Sequence, residues 1–168
     1  MAIDHTRRSL LTIVLGGAAG LLGLTHAASA QTPRGRAGRA QAKPTLTVYK
    51  DAACGCCHVW VEYMKAKGYP AFVTDTDIGA IKKKYAIGPN LQSCHTTLVD
   101  GFIIEGHVPE SDIVRLLRDR PAGVVGLTIP GMPASAPGMD GRPFRPFTVL
   151  AFNKAGETTV YMQHTKPE

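Results

Sequence analysis

The spacing of hydrophobic positions changes several times after residue 44. Leu46, Val48 and Tyr49 lie in a short β-rich run that ends at Asp51. Cys57, Trp60, Val61 and Met64 then recur at i, i+3, i+4 and i+7, while His58, Glu62 and Lys65 take the opposite face. That period predicts an amphipathic helix that begins near the cysteines and stops at Gly68. Residues 71–74 read as the next strand. Thr76 or Asp77 suits the cap of a second helix reaching about Tyr85, and Gly88-Pro89-Asn90 breaks it. Thr96-Thr97-Leu98-Val99 and Phe102-Ile103-Ile104 flank Asp100-Gly101, the pair favoured by a type I′ hairpin turn. Pro109 and Glu110 suit the first turn of a third helix carrying Ile113, Val114, Leu116 and Leu117, ended by Pro121. Residues 124–146 show no usable period and read as a long loop. Residues 147–152 and 158–162 close the chain as a second hairpin. The predicted class is α/β (α+β): a mixed central sheet flanked by helices, with an extra C-terminal β-hairpin.

The first thirty residues stand apart from this pattern. Arg7 and Arg8 precede an apolar stretch over residues 10–24, and Ala28-Ser29-Ala30 has the small-x-small form that a signal peptidase accepts. Residues 1–30 are therefore expected to be a cleaved export signal, with cleavage after Ala30 and delivery to the periplasm. The paired arginines also fit the twin-arginine route. The apolar stretch holds four glycines and falls short of the ~20 residues of a spanning helix, so no stable membrane anchor is expected.

Charge separates the next segment from the domain. The whole chain carries a formal +6, but residues 31–43, QTPRGRAGRAQAK, hold four basic residues and no acid. They read as a flexible basic linker. Residues 44–168 keep 13 basic and 12 acidic residues, a net of +1. Nucleic-acid binding thus finds no support in the domain. Its length suits one unit with a real hydrophobic core.

Three of the four cysteines fall within four positions, Cys54, Cys56 and Cys57. They stand at a predicted strand-to-helix junction, where unpaired N–H groups and the helix dipole favour thiolate over thiol. Cys54 and Cys57 have the C-x-x-C spacing of thiol–disulfide enzymes. The third thiol, Cys56, is a competing partner for such an enzyme but an added ligand for a soft metal. Cys94 and His95 precede the third strand. In a fold built around its first βαβ unit, the loop entering that strand lies beside the start of the first helix, which would bring a fourth sulfur and an imidazole to the cluster. Thiolates and thioethers select Cu(I), and adjacent thiolates such as Cys56 and Cys57 suit bridging between separate ions.

The order β-α-β-α-β-β-α looks like the thioredoxin-like fold. Together with Cys54-Gly55-Cys56-Cys57, Ser93-Cys94-His95-Thr96, Glu105-Gly106-His107-Val108-Pro109 and the loop from Gly131-Met132-Pro133 to Pro137-Gly138-Met139, the domain resembles the CopG-type periplasmic copper-resistance proteins. The resemblance implies an exported protein whose cysteines bridge a copper cluster, with copper redox activity suspected. It also makes His107 a candidate ligand. Thr96 stands where true thioredoxins carry a cis-proline and no Trp precedes Cys54, which counts against dithiol exchange.

The candidate metal ligands are therefore Cys54, Cys56, Cys57, Cys94, His95 and His107, with Met132 and Met139 as thioether donors from the long loop. His58 is expected to face solvent, Trp60 and Met64 to lie in the core, and His164 to sit near a frayed terminus. The leading expectation is a Cu(I)-binding protein of copper tolerance, its partners being copper ions and other copper-handling proteins of the periplasm. The alternatives are a thiol–disulfide oxidoreductase in which Cys54 attacks and Cys57 resolves, a copper oxidoreductase, a structural zinc site, and an inert Cys54–Cys57 disulfide with Cys56 and Cys94 paired elsewhere.

Overall fold

The computed structural model describes residues 42–139 and 141–167. The predicted export signal and all of the predicted linker except Ala42 and Lys43 lie outside these residues. Lys43 pairs with Glu110 and stands 4.4 Å above the Tyr69 ring.

Strands β1 (Leu46–Lys50) and β2 (Ala71–Asp75) pair in parallel around helix α1 (Gly55–Ala66). Helix α2 (Ile78–Lys84) leads to β3 (Thr96–Val99), which runs antiparallel to β1 and forms a hairpin with β4 (Phe102–Glu105). Asp100 and Gly101 both have positive φ, as the predicted turn requires. Helix α3 (Glu110–Asp119) follows, then β5 (Gly126–Thr128), β6 (Phe147–Phe152) and β7 (Thr158–His164). The seven strands form one mixed sheet in the order β2-β1-β3-β4-β5-β6-β7.

Strand β5 corrects the expectation of an uninterrupted loop over residues 124–146. It has three residues, too few to show a period, and begins with a glycine. It nevertheless pairs in parallel with β4 and antiparallel with β6, joining the C-terminal hairpin to the main sheet. His164 likewise departs from expectation: it belongs to β7, stacks 4.7 Å from the Phe147 ring and bonds Asp112 at 2.7 Å.

The alternating side chains of the strands feed two apolar clusters. Leu46 and Val48 of β1, Phe102 and Ile104 of β4, and Val149 of β6 meet Trp60, Val61 and Met64 of α1 and Ile113 and Leu116 of α3. The opposite face carries a smaller cluster of Ile87, Leu91 and Phe152, with Tyr85, Ile103 and Val125 packed on it. Burial of these large side chains supplies the main driving force. Trp60 has no exposed surface, and its indole N–H is satisfied by the Val108 carbonyl at 3.0 Å. The first face thus fixes α1, whose N-terminus carries the cysteines.

Helix α2 has only seven residues, so its start depends on local capping. Asp77 accepts the N–H groups of Gly79 and Ala80. Asp77→Ala is expected to lower stability by about 1 kcal/mol, measured by urea unfolding with an unchanged denaturant slope.

Candidate metal centre

The turn from β1 into α1 is shaped by Asp51, whose side chain accepts the Ala53 N–H at 2.8 Å and whose carbonyl accepts the Cys54 N–H at 3.0 Å. Cys54 stands at the helix cap with no side-chain cap bond, so its sulfur takes no part in capping. Cys54 and Cys57 are joined as a disulfide, while Cys56 and Cys94 are free. The C-x-x-C spacing thus carries the pairing it allows, and the second pair of the inert-disulfide alternative is unformed. Cys57 is fully buried; Cys54, Cys56 and Cys94 are partly exposed.

Cys94 arrives from the loop before β3, as the βαβ argument expected. One ligand atom from each of Cys54, Cys56, Cys57 and Cys94 lies within 4.8 Å of the others. A second group at the same spacing consists of Cys57, Cys94, His95 and His107. The two groups share Cys57 and Cys94, so six predicted ligands form one continuous site with a sulfur-rich side and a mixed side.

The imidazoles are built into the core. The His95 ring lies 4.6 Å from Trp60 and 5.0 Å from His107, and its Nδ1 is 3.5 Å from the Cys94 sulfur. His107 donates its Nδ1–H to the Pro137 carbonyl at 2.7 Å. That bond leaves the lone pair of neutral His107 on Nε2 and orients it, as carbonyl partners do for metal-binding histidines. The Nε2 atoms of His95 and His107 are both buried and have no hydrogen-bond partner among the described residues. Buried polar atoms are ordinarily satisfied, and a metal ion satisfies an imidazole lone pair directly. The donors present therefore fit a soft or borderline metal.

Burial holds His95 well below the usual histidine range, with the nearby His107, Lys82 and Lys50 charges adding to the effect. Burial also lowers His107, against the opposing bond to Pro137. Both are consequently neutral at pH 7. The Cys94 thiol is pushed up to about 12, first by burial and then by Cys56. Without a cation it holds its proton, which an arriving metal would displace.

The loop carrying Cys94 and His95 is pinned by Glu105, which has no exposed surface. Its carboxylate accepts the Ser93 N–H at 2.7 Å, the Thr96 hydroxyl at 2.6 Å and the buried Lys82 ammonium. Burial raises the Glu105 carboxyl, while these donors oppose the rise. Gly106, at φ +80°, donates its N–H to the His95 carbonyl; a Cβ there would come within 2.3 Å of Ser93 Oγ. Ser93 Oγ in turn bonds the Gly131 carbonyl. On the other side, a Cβ on Gly138 would lie 2.8 Å from the Trp60 nitrogen, so the loop can rest on α1 only with glycine there.

No curated protein sequence matches the chain. A family profile described as protein of unknown function, DUF411, matches residues 91–139. Two solved structures of copper resistance protein CopG are each 32% identical to it. Form 1 covers 74% of this chain and 99% of that protein with a TM-score of 0.68. Form 2 covers 73% and 98% with a TM-score of 0.67. The chain belongs to the CopG copper-resistance family. The match spans nearly the whole of CopG and agrees with the mixed α+β fold described above.

Within this CopG-family fold, the loop methionines stand differently from the cysteines. Met132 has 57% of its surface exposed and follows the Gly131 anchored by Ser93. Met139 packs against the apolar core and lines a cavity with Tyr63, Phe144 and Phe147. His58 is exposed, as expected. Sequence reasoning missed the pinning role of Glu105 and Lys82. Glu105 closes an apolar strand before a glycine, where an acid ordinarily reads as a solvated strand end, and Lys82 lies in the Lys82-Lys83-Lys84 run.

Two predictions follow from the buried charges and imidazoles. Lys82→Met leaves Glu105 buried without its cation and should cost about 3–5 kcal/mol in urea unfolding, whereas Lys82→Met with Glu105→Gln, which removes the charge and keeps an acceptor oxygen for Ser93 and Thr96, should recover much of the loss. The unfolded chain also protonates both histidines below about pH 6.5 while the fold resists it, so their contribution is intact above that value and declines as pH falls. Urea unfolding at about pH 7.5 and 5.5 should show this decline, and His95→Phe with His107→Phe should flatten it.

Proposed function

We propose that this protein binds copper as Cu(I) in copper tolerance, by sequestration, hand-over or redox buffering. The observation that carries the reading is the meeting of Cys94 with Cys54, Cys56 and Cys57, four sulfurs within 4.8 Å at a helix start. With the Cys54–Cys57 disulfide reduced, thiolates of this number and closeness suit soft Cu(I), and their sharing between neighbouring ions supports a cysteine-bridged multinuclear cluster. The name of the CopG relatives points the same way. His95 and His107 supply nitrogen donors at the inner side. In this proposal Met132 and Met139 are outlying thioether donors; Met132 has the more open position and Met139 the more structural one.

The proposed setting is the periplasm, reached through the export signal at residues 1–30, by cleavage after Ala30 and with the twin-arginine route as a refinement. Among the described residues no helix is long and apolar enough to cross a membrane. The proposed partners are copper ions and other copper-handling proteins of that compartment. The arrangement of β1, α1 and β2 followed by the β3–β4 hairpin and α3 supports the thioredoxin-like reading.

A second reading draws on the disulfide itself. Cys54 is partly exposed and Cys57 fully buried, the asymmetry of an attacking and a resolving thiol in a dithiol oxidoreductase. A third, a structural zinc site, uses the same donors in a closed tetrahedron.

Metal analysis of the full chain isolated without oxygen separates the three. Copper reading: several copper ions per chain, with a marked drop in Cys94→Ser. Zinc reading: zinc at about one ion per chain that resists reductants. Oxidoreductase reading: insulin-reducing activity that survives Cys94→Ser. Copper content unaffected by Cys94→Ser would overturn the proposed site.

A further inference from the structure

The two donor groups share Cys57 and Cys94 but respond differently to the disulfide. With Cys54 and Cys57 joined, the sulfur-rich group falls from four thiols to Cys56 and Cys94. The inner group loses only Cys57 and keeps the Cys94 thiol and both imidazoles. Resting on the copper reading above, we propose that the redox state of the Cys54–Cys57 pair selects between two donor sets. The reduced chain offers the sulfur-rich set for several Cu(I) ions, and the disulfide form keeps a separate single-ion site made by Cys94, His95 and His107.

Three observations support a persistent inner site. His95 and His107 are 0% and 2% exposed, and each keeps a buried Nε2 with no partner among the described residues. At His107, whose Nδ1–H is given to the Pro137 carbonyl, that nitrogen carries a lone pair that calls for an occupant, and His95 brings its Nδ1 to 3.5 Å from the Cys94 sulfur. The restraints on the three donors also avoid the disulfide. His107 is oriented by the Pro137 carbonyl, the His95 carbonyl is held by the Gly106 N–H, and the Ser93 N–H is held by Glu105. None of these bonds involves Cys54 or Cys57, so the inner geometry is set in either state. Finally, the donor chemistry differs: one thiolate with two imidazoles is a mixed set that holds copper in fewer, less sulfur-rich bonds than four thiolates.

Opening the pair is a balanced exchange with a dithiol reductant. The Cys54–Cys57 bond breaks, two thiols form with the reductant's two protons, and the reductant closes to its own disulfide. Copper changes no oxidation state in this step.

The full chain is prepared without oxygen in both forms, verified by alkylation of two thiols in the disulfide form and four in the reduced form. Each is titrated with Cu(I) against a chromophoric Cu(I) chelator, and copper-edge X-ray absorption reads the ligand shell. The disulfide form is expected to bind about one Cu(I) in a mixed nitrogen and sulfur shell, and the reduced form several in a sulfur-dominated shell. His107→Gln and, independently, Cys94→Ser should reduce binding by the disulfide form at least tenfold, while His58→Gln, at an exposed imidazole outside both donor groups, should leave it unchanged. Copper binding by the reduced form alone, a sulfur-only shell in the disulfide form, or indifference to both His107→Gln and Cys94→Ser would overturn the inference and leave the copper reading standing. Failure of both forms to bind copper would overturn the copper reading as well.

Discussion

Glu105 is a carboxylate with no exposed surface, and the position of Cys94 depends on how that carboxylate is satisfied. A charge taken out of water is tolerated only with partners in tight geometry. Glu105 finds them in Lys82 from α2, in the Ser93 N–H and in the Thr96 hydroxyl. Two of the three flank Cys94 and His95 in the chain. The carboxylate therefore converts the energetic demand of a buried charge into a fixed path for the loop entering β3, and that path ends beside the start of α1.

The other half of the site is set by packing. Trp60 anchors α1 in the larger apolar cluster and lies against the His95 ring at a tilt, and His95 meets His107 edge-on. The loop around Pro137 and Gly138 lies against the same helix, close enough to bond His107 and to exclude any side chain at Gly138. Neutral imidazoles and a protonated Cys94 follow from this dryness, because burial disfavours the charged forms. The same dryness favours a soft monovalent metal: an ion that replaces the Cys94 proton leaves the charge of the site unchanged and satisfies imidazole lone pairs that water does not reach.

The CopG relationship and the geometry reinforce each other at different levels. Sequence identity of 32% over nearly all of CopG places the chain in the family. The convergence of the cysteines shows that this chain has a donor set of its own fit for metal chemistry. The disulfide pairs two of the four sulfurs and leaves Cys56 and Cys94 as thiols.

Most of the fold was legible because its elements are local. Period 3.6 over Cys57 to Met64, the Asp100-Gly101 turn and the proline before α3 depend on neighbours a few residues away. The cysteine cluster at a helix start was legible for the same reason, and the adjacency of Cys94 followed from βαβ topology. The remainder depended on distant partners. Strand β5 is a strand because β4 and β6 flank it, and its three residues carry no period of their own. Lys82 and Glu105 are 23 positions apart and each reads as a surface charge until the sheet and α2 close over both. His164 is held by Asp112, 52 positions away. The sequence by itself determined the order of elements and the chemical identity of the donors, because propensity, capping and side-chain chemistry are carried residue by residue. Only the tertiary structure decided which charges are buried, which imidazoles lack a partner and which thiols are paired, because burial and contact belong to no single segment of the chain.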